Sequence, residues 1–502
     1  MRKGSISQIK IGAIITYFSI AFNIIAGLIY TPWMIEQIGQ SDYGIYTLAN
    51  SLISLFLIDF GLSSATSRFV AKYRAEGDEK GLKSFISAVY KLYIFVDLLI
   101  FFIFVILFFC LEFLYRNLTI EELEKLKIVY CIAGLYSIIQ FPCITFNGIL
   151  TAYEEFVPLK FADLIQRIGS IILTVAALIL GYGLYALVLA NTIFGLVAIG
   201  IKYFYVRKNV KISIVKNESS IYKQIFSFSV WSTIWAIAQR LIFNITPTIL
   251  GLTVAAASSA IAVFGVITTI EGYFHIITTA INGMFLSKIT RIMQDDSDGK
   301  KISSLMIKVG RFQFALNSLI AVCFLIIGRE FILLWMGEAY IEAYYGVLLV
   351  VFPGIFYNAL QIAHTTMVAQ NLMKYQAYIQ IIIGLCNVVC SIILSYNFGL
   401  LGAAIAICIS YIIRVMLTLL LIKKKLNIDL DRYIKECYGR MSIPFILTSC
   451  LSCVLLCHVN ADSWVKLILK GAIVTIIYLI AILWLGLKKQ ERRQLFSRMH
   501  LH

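Results

Sequence analysis

The chain has 502 residues, 60% of them hydrophobic and 14% charged, with a mean hydropathy of +0.87. A soluble domain could not cover that much apolar surface, so the bulk of the chain belongs in lipid. The formal net charge of +16 fits basic connections lying against anionic headgroups and does not point to nucleic acid.

A bilayer-spanning helix needs about 20 mostly apolar residues. Apolar runs divided by polar breaks predict fourteen spans, at 11–35, 43–67, 85–110, 128–150, 161–181, 184–205, 225–250, 256–286, 305–327, 345–369, 377–396, 399–422, 441–459 and 464–486. The first run has no small-residue cleavage site after a short core and reads as a span, not a removable signal peptide. With the N-terminus inside, the inner connections and both termini carry most of the 43 Lys and Arg. The positive-inside rule then predicts cytoplasmic termini. The inner connections "RKNVKISIVKNESSIYK" and "KKKLNIDLDRYIKECYGR" mix basic and apolar residues and read as interfacial helices.

The outer connections are short, and the largest, around "RNLTIEELEKLK", is a polar turn of helical character. A membrane glycan polymerase or ligase needs a sizeable outer loop bearing catalytic groups, so transport is favoured over covalent chemistry and no catalytic residue is assigned. Asp59-Phe60-Gly61, in the second span, is the triplet that holds magnesium in a kinase. The glycine-rich loop, strand lysine and His-Arg-Asp loop that such chemistry also needs are missing from the sequence. Cys450, Cys453 and Cys457 have helical spacing in an apolar run with no second ligand cluster, so they read as packing and no metal is expected.

Shifting the chain by 216 residues superimposes the first six spans on the seventh to twelfth, with Gly183-Leu184 on Gly399-Leu400, Ala190 on Ala406, Ile193 on Ile409 and Ile45 on Ile261. Six is even, so both halves enter from the same side. Such parallel repeats place a substrate cavity between two lobes that rock. The expected organisation is an all-α polytopic membrane protein with a six-helix lobe at 1–222, a pseudo-symmetric six-helix lobe at 223–426, and an extra helix pair with a basic tail at 427–502.

Residues 30–78, "YTPWMIEQIGQSDYGIYTLANSLISLFLIDFGLSSATSRFVAKYRAEGD", resemble the amino-terminal hallmark of bacterial, Wzx-like oligosaccharide flippases. These form the polysaccharide-transport branch of the multidrug/oligosaccharidyl-lipid/polysaccharide (MOP) exporter superfamily. The matching elements are the Pro32 exit from the first helix, Gly39, Tyr43-Gly44-Ile45-Tyr46, Asp59-Phe60-Gly61-Leu62, Arg68 and Lys72-Tyr73; "FILLWMGEAY" at 331–340 is similar to a segment of the second half. The resemblance implies an alternating-access transporter of undecaprenyl-diphosphate-linked oligosaccharides, of O-antigen or capsular type, in the bacterial inner membrane. It implies no enzymatic activity and no cofactor, with a proton or sodium gradient as the candidate driving force, and membrane lipid and a glycan polymerase complex as candidate partners. The alternatives are a multidrug/cation antiporter of the same superfamily, a peptidoglycan-precursor flippase, and a glycan polymerase or ligase.

Passing a diphosphate and a hydrated glycan through lipid demands cations in a wet cavity, and an ionisable residue at mid-depth costs about 2.5–3.5 kcal/mol on insertion scales, so each is a candidate. Arg240, in "WAIAQRLIFNITPTI", is the first choice for the diphosphate, because guanidinium binds phosphate oxygens through a planar fork. Its structural alternative is an ion pair with Asp97 or Glu271. Arg68 and Arg414 are further substrate-binding candidates. Asn23 and Gln239 coincide under the repeat shift and are expected to present amides from both walls. Glu271 and His275, spaced i, i+4, share a helix face, and His275 falls on Asp59 under the shift. Glu271, His275, Asp59 and Asp97 are therefore the candidates for ion coupling or gating. Asp59 is also expected to pair across helices near Arg68, and His364 reads as structural.

Overall fold

The computed structural model describes residues 3–210, 219–282, 289, 292, 300–370, 372–426, 428–456, 459–487 and 492, and among these there is helix but no strand. Eleven of the described helices are long and apolar enough to cross a membrane. One of them, Met373–Leu426, holds two expected spans on either side of Gly399, whose φ of +56° breaks its helical course. Each of the fourteen expected spans is helical over most of its described residues, and the chain is an all-α polytopic fold. Parts of the inner connection at 207–223, and the end of the eighth span, lie outside the described residues.

In chain order the helices are α1 (Lys3–Ile38), α2 (Gln40–Phe56), α3 (Leu62–Glu76), α4 (Glu79–Leu114), α5 (Ile120–Cys143), α6 (Thr145–Ala152), α7 (Phe156–Ile179), α8 (Gly183–Asn209), α9 (Ser219–Phe243), α10 (Thr246–Thr253) and α11 (Ala257–Asn282). They continue with α12 (Lys300–Met336), α13 (Glu342–Asn358), α14 (Gln361–Ala369) and α15 (Met373–Leu426). The last two are α16 (Leu430–Leu456) and α17 (Trp464–Gly486). Large apolar side chains such as Phe109 and Phe113 on α4 stand exposed, as they must where lipid rather than protein is the solvent.

The second expected span is not one helix. It breaks between α2 and α3 at 57–61, where Phe60 (φ +52°) and Gly61 (φ +66°) take left-handed backbone. Asp59 holds the break. Both of its carboxylate oxygens accept from Ser63 N at 3.3 Å, and the Tyr93 hydroxyl of α4 donates to Oδ1 at 2.6 Å. Asp59 thus caps the start of α3, and its partners are a hydroxyl and a backbone N–H, not a cation near Arg68. The first helix also departs from expectation: α1 continues through Pro32 to Ile38. In lipid, ending a helix strands several backbone groups whereas proline removes a single donor, so running on costs less. At the other end of the chain, Asp429 accepts from Arg432 N at 3.0 Å and the helix runs on into the thirteenth span. The charged segment 430–440 is helical and continuous with the thirteenth span.

Two backbone features coincide under the 216-residue shift. The helix break at Ile144, between α5 and α6, falls on the break at Leu360, between α13 and α14, under the 216-residue shift. The left-handed Gly183 (φ +60°) falls on the left-handed Gly399 (φ +56°). The break at Asp59-Phe60-Gly61 has no counterpart, since α11 is helical at the corresponding 273–277.

By compactness the chain divides into Met1–Ala262 and Val263–His502. Within the first unit the beginnings of three helices meet at Glu122. Thr119 and Glu122 form a reciprocal capping box at the start of α5. The same Glu122 Oε1 accepts from Ser41 Oγ at the start of α2 and from Ser258 Oγ at the start of α11, both at 2.5 Å. Gly44 makes this approach possible, because a Cβ there would stand 1.9 Å from Ser258 O. Lys125 Nζ, 2.9 Å from Asp42 Oδ1, adds an ion pair between α5 and α2.

Candidate functional site

The first unit holds a partly open cavity of about 390 Å³. Helical spacing turns one face of each wall toward it: Tyr46, Asn50 and Ser54 at i, i+4 and i+8 on α2, and Ala133, Tyr136, Ser137 and Gln140 on α5. Gln166 comes from α7, Asn191 and Thr192 from α8, and Arg240 from α9. Arg240 is half-buried, and its Nη2 reaches Leu57 O, at the C-terminal end of α2, at 3.4 Å. That distance makes a weak bond and leaves most of the fork's donors for other partners. One turn further on, the chain between α9 and α10 is pinned to α2. Ser51 Oγ donates to Asn244 O, and Asn244 Nδ2 donates to Ser54 Oγ at 2.7 Å.

Two of the lining amides are oriented by tyrosine hydroxyls and a third by the backbone of its own helix. Asn50 Nδ2 donates to Tyr46 O at 2.9 Å, Asn191 Nδ2 to the Tyr46 hydroxyl at 3.1 Å, and Gln166 Nε2 to the Tyr136 hydroxyl at 3.4 Å. Gln140 makes no hydrogen bond to any other described residue and opens to the cavity. Among the described residues lining this space, Arg240 is the one cation and there is no carboxylate. The arrangement can hold an anion beside a surface of neutral donors and acceptors.

A second cluster lies within the second unit, around Arg414 on α15, which is 2% exposed. Its Nη2 donates to Gln380 Oε1 at 2.5 Å. The guanidinium carbon stands 4.3 Å from the centroid of the Tyr357 ring and 5.6 Å from that of Tyr411, and the two rings meet edge to face. Ring quadrupoles and an amide carbonyl thus replace part of the water that this cation has lost. The Tyr411 hydroxyl also donates to Glu271 Oε1 at 3.4 Å. The Arg414 charge acts on Glu271, His275 and His364 together.

Of the residues singled out in the sequence, Arg240 lines the first cavity, while Arg414, Glu271 and His275 share the second cluster. Arg68 is exposed on α3, one turn before Lys72, whose Nζ is 3.9 Å from Glu76. Asn23 and Gln239 are half-buried on α1 and α9, and neither lines the cavity. Asp97, half-buried on α4, does not pair with Arg240; its Oδ1 has no hydrogen-bond partner among the described residues. The sequence reading missed Asn50, Gln140, Gln166 and Asn191, and it missed Gln380 with the two tyrosines. A signal existed in the spacing of Tyr46, Asn50 and Ser54. It existed also in the buried stripe Gln376, Gln380, Asn387, Ser391 and Ser395 along the first limb of α15.

Helices of this order, with breaks and kinks repeated in two halves and a polar cavity inside an apolar shell, define a polytopic membrane transporter. The solved structures that resemble it have the MOP fold. Lipid II flippase MurJ in an inward closed conformation is similar at a TM-score of 0.68 and 16% identity, covering 93% of this chain and 98% of that one. An inward-facing multidrug resistance MATE family transporter of the MOP superfamily is similar at 0.70 and 12% identity, covering 84% and 99%. A MOP superfamily transporter from Pyrococcus furiosus is similar at 0.60 and 13% identity, covering 85% and 96%. No curated protein sequence matches the chain. The family model described as polysaccharide biosynthesis protein matches residues 9–285, more than half of the chain, and the chain belongs to that family.

Proposed function

We propose that the chain is a flippase carrying undecaprenyl-diphosphate-linked oligosaccharide from the cytoplasmic to the outer leaflet of the bacterial inner membrane, with both termini cytoplasmic. The observation that carries this reading is the composition of the first cavity: one guanidinium among neutral amides and hydroxyls. A diphosphate takes the guanidinium fork, sugar hydroxyls take the amides, and the polyprenyl tail remains in lipid. Transport proceeds by rocking of the repeat lobes 1–222 and 223–426, with 427–502 as an added pair, and no covalent bond is made or broken. The Arg414 cluster, with Glu271 and His275, is the candidate for coupling to a proton or sodium gradient. A drug/cation antiporter would call for carboxylates in the cavity, and the lining residues include none.

The test is depletion of the protein followed by identification of the lipid-linked intermediate that accumulates on the cytoplasmic face. Accumulated oligosaccharide on undecaprenyl diphosphate supports the reading, and accumulation of the peptidoglycan precursor would redirect it to that cargo. Arg240→Ala is expected to abolish glycan export at normal protein levels, while Arg240→Lys retains part of it. Full export by the alanine variant would overturn the role of Arg240.

A further inference from the structure

We propose that the end of α15 where its two limbs meet is a binding site for the headgroup of an anionic glycerophospholipid, formed by Lys423, Lys424 and Lys425 with Tyr375 and Tyr378. The site lies in the second unit, about three helical turns beyond the buried Arg414, and shares no residue with the cluster around it. The left-handed Gly399 turns the chain back, and the limbs run side by side: Ser410 Oγ donates to Asn387 Oδ1 at 3.1 Å and Arg414 Nη2 to Gln380 Oε1. The two ends of α15 therefore come together, and Lys425 Nζ lies 4.3 Å from the centroid of the Tyr375 ring. Ile422 and Leu426 are buried and fix the last turn, while the three lysines between them are exposed.

Charge and apolar surface together name the occupant. From Met373 to Leu426 the chain has no Asp or Glu, and none of the three lysines pairs with a carboxylate among the described residues. The next acidic residue, Asp429, spends its carboxylate on Arg432 N. The other half of the repeat shows that the fold does not demand this excess. Under the 216-residue shift Asp163 falls on Ile379 and Asn209 on Lys425. There, in the first unit, Asp163 Oδ1 is 2.7 Å from Lys202 Nζ and its Oδ2 is 3.9 Å from Lys160 Nζ, while Asn209 Nδ2 donates to Glu155 Oε1 at 2.9 Å. The first unit neutralises this rim with its own carboxylates, and the second leaves adjacent ammonium groups whose repulsion an anion between them relieves. An apolar track leads away from the lysines. Tyr378, Ile382, Leu385 and Val389 follow one another at i+4, i+7 and i+11 on the first limb, and all four are exposed. A phosphodiester held by the lysines lays its acyl chains along that face, with the tyrosines at headgroup depth.

Native mass spectrometry of the purified full chain provides the test, after exchange into micelles holding equal amounts of phosphatidylglycerol and phosphatidylcholine. Each lysine near an anionic headgroup is worth about fivefold in affinity, so the unmodified protein is expected to retain phosphatidylglycerol over phosphatidylcholine by more than about tenfold. The triple variant Lys423→Gln, Lys424→Gln, Lys425→Gln is expected to lose that preference, and the corresponding triple arginine variant to keep it. The double variant Lys423→Gln, Lys424→Gln, which leaves the Lys425 ring contact in place, is expected to lose most of it. Arg207→Gln with Lys208→Gln, at the equivalent rim of the first unit, is expected to leave it unchanged. Undiminished preference in the glutamine variants, or an equal loss in the Arg207 and Lys208 pair, overturns the proposal. Displacement of phosphatidylglycerol by an equal concentration of farnesyl diphosphate also overturns it, because the lysines would then receive a lipid diphosphate in place of a bilayer headgroup.

Discussion

Asp59 lies where an apolar span was expected to run straight, and the bond from Tyr93 at 2.6 Å offers a direct measure of what holds the break. Tyr93→Phe removes one hydroxyl from a fully buried ring, and with it both the bond to Asp59 and the contact with Thr145. Asp59→Ala removes that bond together with the cap on Ser63 N. A hydrogen bond to a charged partner contributes about 1.5–3 kcal/mol and one between neutral groups about 0.5–1.5 kcal/mol. Tyr93→Phe is therefore expected to destabilise by about 1–3 kcal/mol, and Asp59→Ala by more, because a helix cap contributes about 0.5–2 kcal/mol of its own. The double variant should cost less than the two single costs combined, the shortfall being the energy of the shared bond. The assay is thermal unfolding in detergent of the four proteins, followed by tryptophan fluorescence. A coupling above about 1.5 kcal/mol would identify an ionised Asp59, and a smaller one a neutral carboxyl. Strict additivity would refute the reasoning, because it would mean that the two groups do not share a bond in the membrane-embedded protein.

Other consequences are equally open to measurement. Arg414→Lys should lower the unfolding temperature and glycan export, since an ammonium reproduces neither the planar contact with Tyr357 nor the fork to Gln380. Tyr357→Phe should be tolerated and Tyr357→Leu not, because it is the ring face that meets the cation. Gly183→Ala and Gly399→Ala should each cost about 1–2 kcal/mol in thermal unfolding, because both positions are left-handed. A neutral outcome at either would show that the backbone there relaxes. If the Glu271 cluster couples a proton, transport by reconstituted vesicles should respond to an imposed pH gradient, and Glu271→Gln should abolish that response without abolishing downhill movement. The groups that set its behaviour include Tyr411, Arg414, His275 and His364. An unchanged response would remove Glu271 from the coupling path.

The spans were legible because lipid leaves the backbone few choices, and a run of about 20 apolar residues has to be helix. Their interruptions were less legible. Asp59 and Gly61 are surrounded by residues as apolar as any span, and only the tertiary bond from Tyr93 shows why the chain turns there. Pro32 misled in the opposite sense, since proline punctuates soluble helices far more strongly than lipid-embedded ones. Arg240 and Arg414 stood out because a guanidinium in an apolar run is expensive. The amides around Arg240 did not, because single Asn and Gln residues also serve to join helices, and only the fold shows which of them share one cavity. Asn23 and Gln239, matched by the repeat shift, are both half-buried, and neither lines the cavity of the first unit.

The meeting of three helix starts at Glu122 bears on how that end of the first unit can come apart. Ser41 and Ser258 draw on the same oxygen, and the capping box of α5 draws on the same carboxylate. Withdrawing α11 leaves Glu122 one donor short and removes the Ser258 carbonyl against which Gly44 is seated. Withdrawing α2 takes the Ser41 donor from the same oxygen. Losing either serine leaves the other bond and the capping box in place, so Glu122 is a shared anchor from which either helix can part without undoing the start of α5.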